Sequence, residues 1–252
     1  MAELLFWPAL IAYGEAAIAY GAVLRRPELA TRLAIWGVRL GWLAQTGMLV
    51  AEAVRADGFP WASWSGLLNL FVWFAVGVYL IWGCSPRYRL LGLAVMPAAA
   101  ALFAIAGFGG AASEHGYDLF VAVHVALLLS GFAGFALAAA ISALYLWQER
   151  RLKRHPAGVL RLGPPSLLGL DKLANRIAAV SFVFLTAGIG LGLVGGHPFD
   201  LAVVGALAVW CVFATALLLR RELGWSGRRP AYLMVAGFAL VALLGLPAGH
   251  LG

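Results

Sequence analysis

Five histidines stand out in a chain of 252 residues: His115, His124, His155, His197 and His250. His124 is the oddest, because it lies in the middle of "LFVAVHVALLLSGF". A neutral imidazole has two ring nitrogens that need partners, and hydrocarbon supplies none. Histidine is the commonest metal ligand and can also bind haem iron axially. The plain alternative is a packing histidine satisfied by a neighbouring helix. A second group with chemical potential is "DGFPWASWSGLLNLFVWF", which holds Trp61, Trp64 and Trp73. These form either an ordinary interfacial belt or a flat platform for a porphyrin. Pro60 stands just before this helix, where a proline is harmless. Glu15, Arg39, Glu52 and Gln45 fall within apolar runs, where ionisable groups are costly. Arg39 can snorkel over Trp36 and Trp42. Glu52 can pair with Arg55 one turn on, and Glu15 with Arg39 on the next helix. Cys84 and Cys211 form no C-x-x-C pair and read as packing residues. No phosphate loop, H-E-x-x-H or nucleophile elbow occurs.

The elements that position these residues follow from composition. The chain is 63% hydrophobic and only 12% charged, and its mean hydropathy is +0.91. A soluble domain carries about 25% charged residues, so this is an all-α, polytopic integral membrane protein. Eight runs can span: Leu4–Leu24, Leu33–Val54, Trp64–Gly83, Leu90–Phe108, Leu119–Trp147, Ala174–Val194, Leu201–Leu219 and Ala231–Pro247. The first reads as a retained helix rather than a signal peptide. All eight belong to one membrane domain, residues 1–252. Two N-terminal helices (1–54) precede the rest (55–252).

Loop charges set the orientation. Odd-numbered loops hold Arg25, Arg26, Arg32, Arg87 and Arg89, then Arg150, Arg151, Lys153, Arg154, Arg161, Lys172 and Arg176. The seventh adds Arg220, Arg221, Arg228 and Arg229, whereas the even-numbered loops hold only Arg55. The basic loops are expected to be cytoplasmic, with both termini outside, in a plasma or inner membrane. The net charge of +7 then needs no nucleic acid. His115, His124, His197 and His250 all fall on the outer side, and only His155 on the cytoplasmic side. Small residues at Gly131, Gly134, Ala138 and Ser142, with "TAGIGLGLVGG", predict that the fifth and sixth helices pack closely. That packing would bring His124 near the 6–7 loop.

Three stretches carry a resemblance. They are "VHVALLLSGFAGFALAAAISALYLWQERRLKRH", "PPSLLGLDKLANRIAAVSFVFLTAGIGLGLV" and "GWSGRRPAYLMVAGFALVALLG", the last followed by an outer histidine. In that order, and with the tryptophan segment before them, they resemble the cytochrome c assembly family, which includes CcsA, CcmC and HemX-type proteins. The resemblance implies haem handled at the outer face, with axial histidines flanking a tryptophan-rich segment. By motif position those are His124 and His250, with Trp61 and Trp64 shielding a b-type, non-covalent haem. One departure matters. The family's Trp-Gly-x-x-Trp-x-Trp-Asp segment is replaced by "LVGGHPFDLAVVGALAVW", and "LLLRR" stands where many members place a histidine. His197 is a substitute ligand there. The departure also points to HemX-like members, membrane regulators or scaffolds of a tetrapyrrole-synthesis enzyme. The resemblance thus implies binding rather than catalysis. Partners would be membrane lipids and either cytochrome c maturation proteins or a cytoplasmic haem-synthesis enzyme. A solute transporter is disfavoured, because there is no clear internal repeat and no pair of broken helices.

Overall fold

The computed structural model describes residues 2–22, 27–55, 61, 63–85, 88–109, 119–154, 165–195 and 201–248. They form eight α-helices: α1 (Ala2–Ala22), α2 (Pro27–Arg55), α3 (Trp64–Trp82), α4 (Arg89–Gly107), α5 (Leu119–Arg154), α6 (Leu167–Val194), α7 (Leu201–Glu222) and α8 (Arg228–Ala248). Helices α1 to α7 are long and apolar enough to cross a membrane. The chain is a multi-pass membrane protein.

Helix bounds extend past the predicted spans where polar residues continue the helix beyond hydrocarbon. Helix α2 begins at Pro27, a residue suited to a first helical turn because it lacks an N–H that would go unused there. Helix α6 begins at Leu167, with Ser166 as its N-cap accepting from the Gly169 amide. Asp171 and Lys172 are therefore helical, although hydropathy alone assigns them to a loop.

The contacts divide the chain into two compact units, residues 1–122 and 123–252. In the first, α1 packs on α2 and α4, and α3 packs on α2 and α4. The buried face of α1 is Ala9, Tyr13, Ala16 and Tyr20. Glycines on the neighbouring helices admit its aromatic rings. A Cβ at Gly41 would lie 2.6 Å from the Tyr13 ring, and one at Gly92 would lie 2.4 Å from the Tyr20 ring. The phenol of Tyr13 donates to Gln45 Oε1 at 2.6 Å, and Gln45 Nε2 donates to Asn69 Oδ1 at 2.7 Å. Gln45 thus serves as interhelical glue, linking α1, α2 and α3.

In the second unit α5 and α6 approach closely, as the small residues predict. A Cβ at Gly131 would lie 3.0 Å from the Leu185 amide nitrogen, and one at Gly188 would meet Leu128 at 2.8 Å. Phe135 stacks on Phe213 of α7 with centroids 3.6 Å apart. Helix α7 in turn packs on α6 and α8.

Several predicted pairings are replaced. Glu15 and Arg39 make no ion pair; both side chains are exposed. The α1–α2 contact runs along the Ala9–Tyr13–Ala16–Tyr20 face, and Glu15 is turned about 100° away from Ala16. Arg39 lies over Trp36, 5.4 Å from the ring centroid. Trp42 instead stacks on Trp73 at 5.2 Å. Glu52 accepts from Trp61 Nε1 at 2.8 Å rather than pairing with Arg55. Cys84 is partly buried, whereas Cys211, read from the sequence as a packing residue, is exposed on α7.

Candidate functional site

His124 belongs to the second unit, in the second turn of α5. Its Nδ1 lies 2.7 Å from the carbonyl oxygen of Gly188. A carbonyl only accepts, so Nδ1 carries the proton and the lone pair of a neutral ring sits on Nε2. The ring lies against Gly192, where an added Cβ would come within 2.6 Å of Cε1. Gly188 and Gly192 are one turn apart on α6. One supplies the acceptor, and the other supplies the space in which the ring lies. Side chain, tautomer and orientation are thereby set by a neighbouring helix, as an axial ligand requires. The site is consequently a property of the α5–α6 packing rather than of α5 alone.

His115, His155, His197 and His250 lie outside the described residues, as does Pro60. Among the described residues no group of three or more His, Cys, Asp or Glu side chains gathers to hold a metal ion.

Trp61 and Trp64 lie in the first unit, at the start of α3. Ser63 caps this helix by accepting from the Gly66 amide at 3.1 Å. A Cβ at Gly66 would fall 2.6 Å from Trp61 Cα, so the backbone folds tightly onto the helix there. The Trp61 indole is tied to Glu52, while Trp64 is exposed, at 59%. Trp73 lies deeper; its Nε1 donates to Thr46 Oγ1 at 2.8 Å, which joins α3 to α2.

A polar cluster that the residue chemistry did not single out lies at the opposite end of the second unit. Arg220, on α7, makes two bonds to Asp171 on α6, at 2.8 and 2.5 Å. The Gly227 amide adds a third to the same carboxylate, at 3.3 Å. Gly224 and Gly227 have φ of +61° and +79°, a conformation that glycine adopts without strain. Gln148 Nε2 donates to the Pro165 carbonyl at 2.7 Å. Arg228 stands 3.4 Å from Glu149, and Arg150 donates to the Tyr232 hydroxyl at 3.0 Å. The stretches 148–153 and 224–232 are far apart in sequence but meet here. Their only signal in the sequence was the resemblance, since charged residues near a helix end otherwise read as ordinary topology determinants.

The family described as "Cytochrome C assembly protein" matches residues 61–246. Among curated proteins, the "Cytochrome c biogenesis protein CcsA" of Gloeobacter violaceus is 23% identical over 87% of this chain and 84% of its own length. The protein of that name from Synechococcus elongatus is 25% identical over 86% of this chain and 84% of its own length. The one from Chlamydomonas reinhardtii is 26% identical over 77% of this chain, which spans 59% of that relative. Among solved structures, "Cytochrome c Heme Lyase CcmF" superposes with a TM-score of 0.73 over 99% of this chain and 48% of its own, at 16% identity. At that identity the likeness is one of fold.

Proposed function

The chain belongs to the cytochrome c assembly protein family, and from that premise we propose that it handles haem during cytochrome c biogenesis, holding the iron between His124 and His250. The observation that carries this reading is the seating of His124. Its Nδ1 is committed to the Gly188 carbonyl and its ring lies in the space that Gly192 leaves open. Nε2 of His124 is the atom that would meet the iron, and the imidazole of His250 would be the second axial ligand. The family resemblance assigns Trp61 and Trp64 the role of shielding a porphyrin, and of the two Trp64 is exposed within its own unit. The haem is read as b-type and non-covalent, and it is cargo rather than a resident group. Basic residues at the Arg150 and Arg220 end face the cytoplasm in this reading, so haem would be held at the outer side. Covalent attachment needs a C-x-x-C-H acceptor, which this chain lacks, so a partner of the maturation machinery would bring it. Relatives that carry the name of biogenesis proteins favour haem handling over the regulatory scaffold.

The test is to purify the chain in detergent, reconstitute it with haem and record oxidised and reduced visible spectra. Wild type should give a stoichiometric low-spin spectrum that His124→Ala/His250→Ala loses. Equal haem content in wild type and a folded double variant overturns the ligand assignment.

A further inference from the structure

Glu15 has no role in the haem reading and no hydrogen-bond or ion-pair partner among the described residues. It lies within a membrane-spanning run, Leu4–Ala22. It is seven residues from Ala22, roughly 10 Å along a helix rising 1.5 Å per residue. Its carboxyl is exposed and makes no hydrogen bond or ion pair with any described residue. An intramembrane carboxyl facing outwards is costly, and hydrocarbon tails donate no hydrogen bond to it.

The surface around it is shaped. Glu15 borders an open groove of about 370 Å³, lined by Ile18, Ala19 and Ala22 of α1 and by Leu29, Ala30 and Leu33 of α2. The alanines keep the floor low, which lets a second backbone come near. Ile18 stands 76% exposed and Leu29 58% exposed as walls. Apart from the carboxyl, the lining is wholly apolar.

We propose that the α1–α2 groove docks a transmembrane helix of a partner protein, and that this helix carries a lysine or arginine at the depth of Glu15. Charge complementarity selects this occupant. A lipid chain fills the groove but leaves the carboxyl unmet. A second copy, joined groove to groove about a two-fold axis, sets two Glu15 carboxyls at one depth, where like charges oppose each other. A cationic side chain on a foreign helix satisfies both the carboxyl and the apolar lining.

The test uses the full chain in phosphatidylcholine vesicles, with a photo-crosslinking phenylalanine analogue in place of Ile18. The probe is a 24-residue leucine–alanine transmembrane peptide with one central lysine, compared with the same peptide bearing leucine there. The lysine peptide should crosslink roughly tenfold more, the ratio expected for one interhelical polar contact in lipid. Glu15→Leu should abolish the difference. Glu15→Lys should transfer the preference to a peptide with central glutamate. Ala22→Trp leaves Glu15 intact, fills the groove mouth and should also lower crosslinking. All variants alter exposed positions, and monodisperse elution in detergent checks that they fold. Equal crosslinking of the lysine and leucine peptides, or persistence of the difference in Glu15→Leu, overturns the proposal. Adducts between two copies that form without peptide and vanish in Glu15→Leu also overturn it, in favour of self-association.

Discussion

At the scale of single residues, the histidine in "LFVAVHVALLLSGF" depends on two glycines of another helix. Gly188 lends its carbonyl and Gly192 lends the volume of a missing Cβ. Gly190 lies between them on α6, yet a Cβ there meets nothing within 4 Å. This contrast makes a controlled experiment. Gly192→Ala should push the imidazole off its seat and weaken haem retention by roughly tenfold or more, the usual effect of disturbing a ligand's support. Gly190→Ala should leave it unchanged. Haem titration of the two purified variants decides. If both behave as wild type, the ring does not need its present seat to bind.

At the scale of elements, the cluster around Asp171 joins α6, α7 and the turn into α8. Asp171 is a buried carboxylate and Arg220 a largely buried guanidinium, with side-chain exposures of 8% and 17%. Removing one member leaves the other charge uncompensated, at a cost of about 3 kcal/mol, the lower end for such pairs because Arg220 keeps some solvent. Asp171→Asn should therefore lower the thermal unfolding midpoint in detergent clearly. Arg220→Lys should do nearly as much, since lysine cannot reproduce two parallel bonds to one carboxylate. Lys153→Ala removes an exposed lysine and leaves Glu149 with Arg228 3.4 Å away, so it should shift it little. A midpoint in Asp171→Asn as high as wild type would show that helix packing alone holds this end together.

At the scale of the whole molecule, the orientation we propose rests on the bias of arginine and lysine among the loops. It has a direct readout in a Cys84→Ser/Cys211→Ser background. Gly195→Cys, at the end of α6, should react with a membrane-impermeant thiol reagent added to intact spheroplasts. Arg221→Cys, at the other end of α7, should react only after the membrane is opened. The reverse pattern would put the His124 end in the cytoplasm and remove the reason for reading it as an outer haem site.

What the sequence determined by itself is the eight helices, seven of them long and apolar enough among the described residues to cross a membrane where the sequence reading expected eight, and the α5–α6 contact. Long apolar runs have no other stable state in lipid, and small residues at helical spacing admit a neighbour's backbone. The stretches that carry the family were also legible, because they are contiguous words in the chain. Only the tertiary structure decided which polar groups meet. Glu52 is near Arg55 in sequence but bonds to Trp61. Glu15 and Arg39 lie on adjacent helices yet face apart. Asp171 finds Arg220 across 49 positions. The rotation of each helix about its own axis chooses these partners. That rotation is set by how bulky rings such as Tyr13 and Tyr20 enter the gaps at Gly41 and Gly92, which is a property of two surfaces together and is not written in either one.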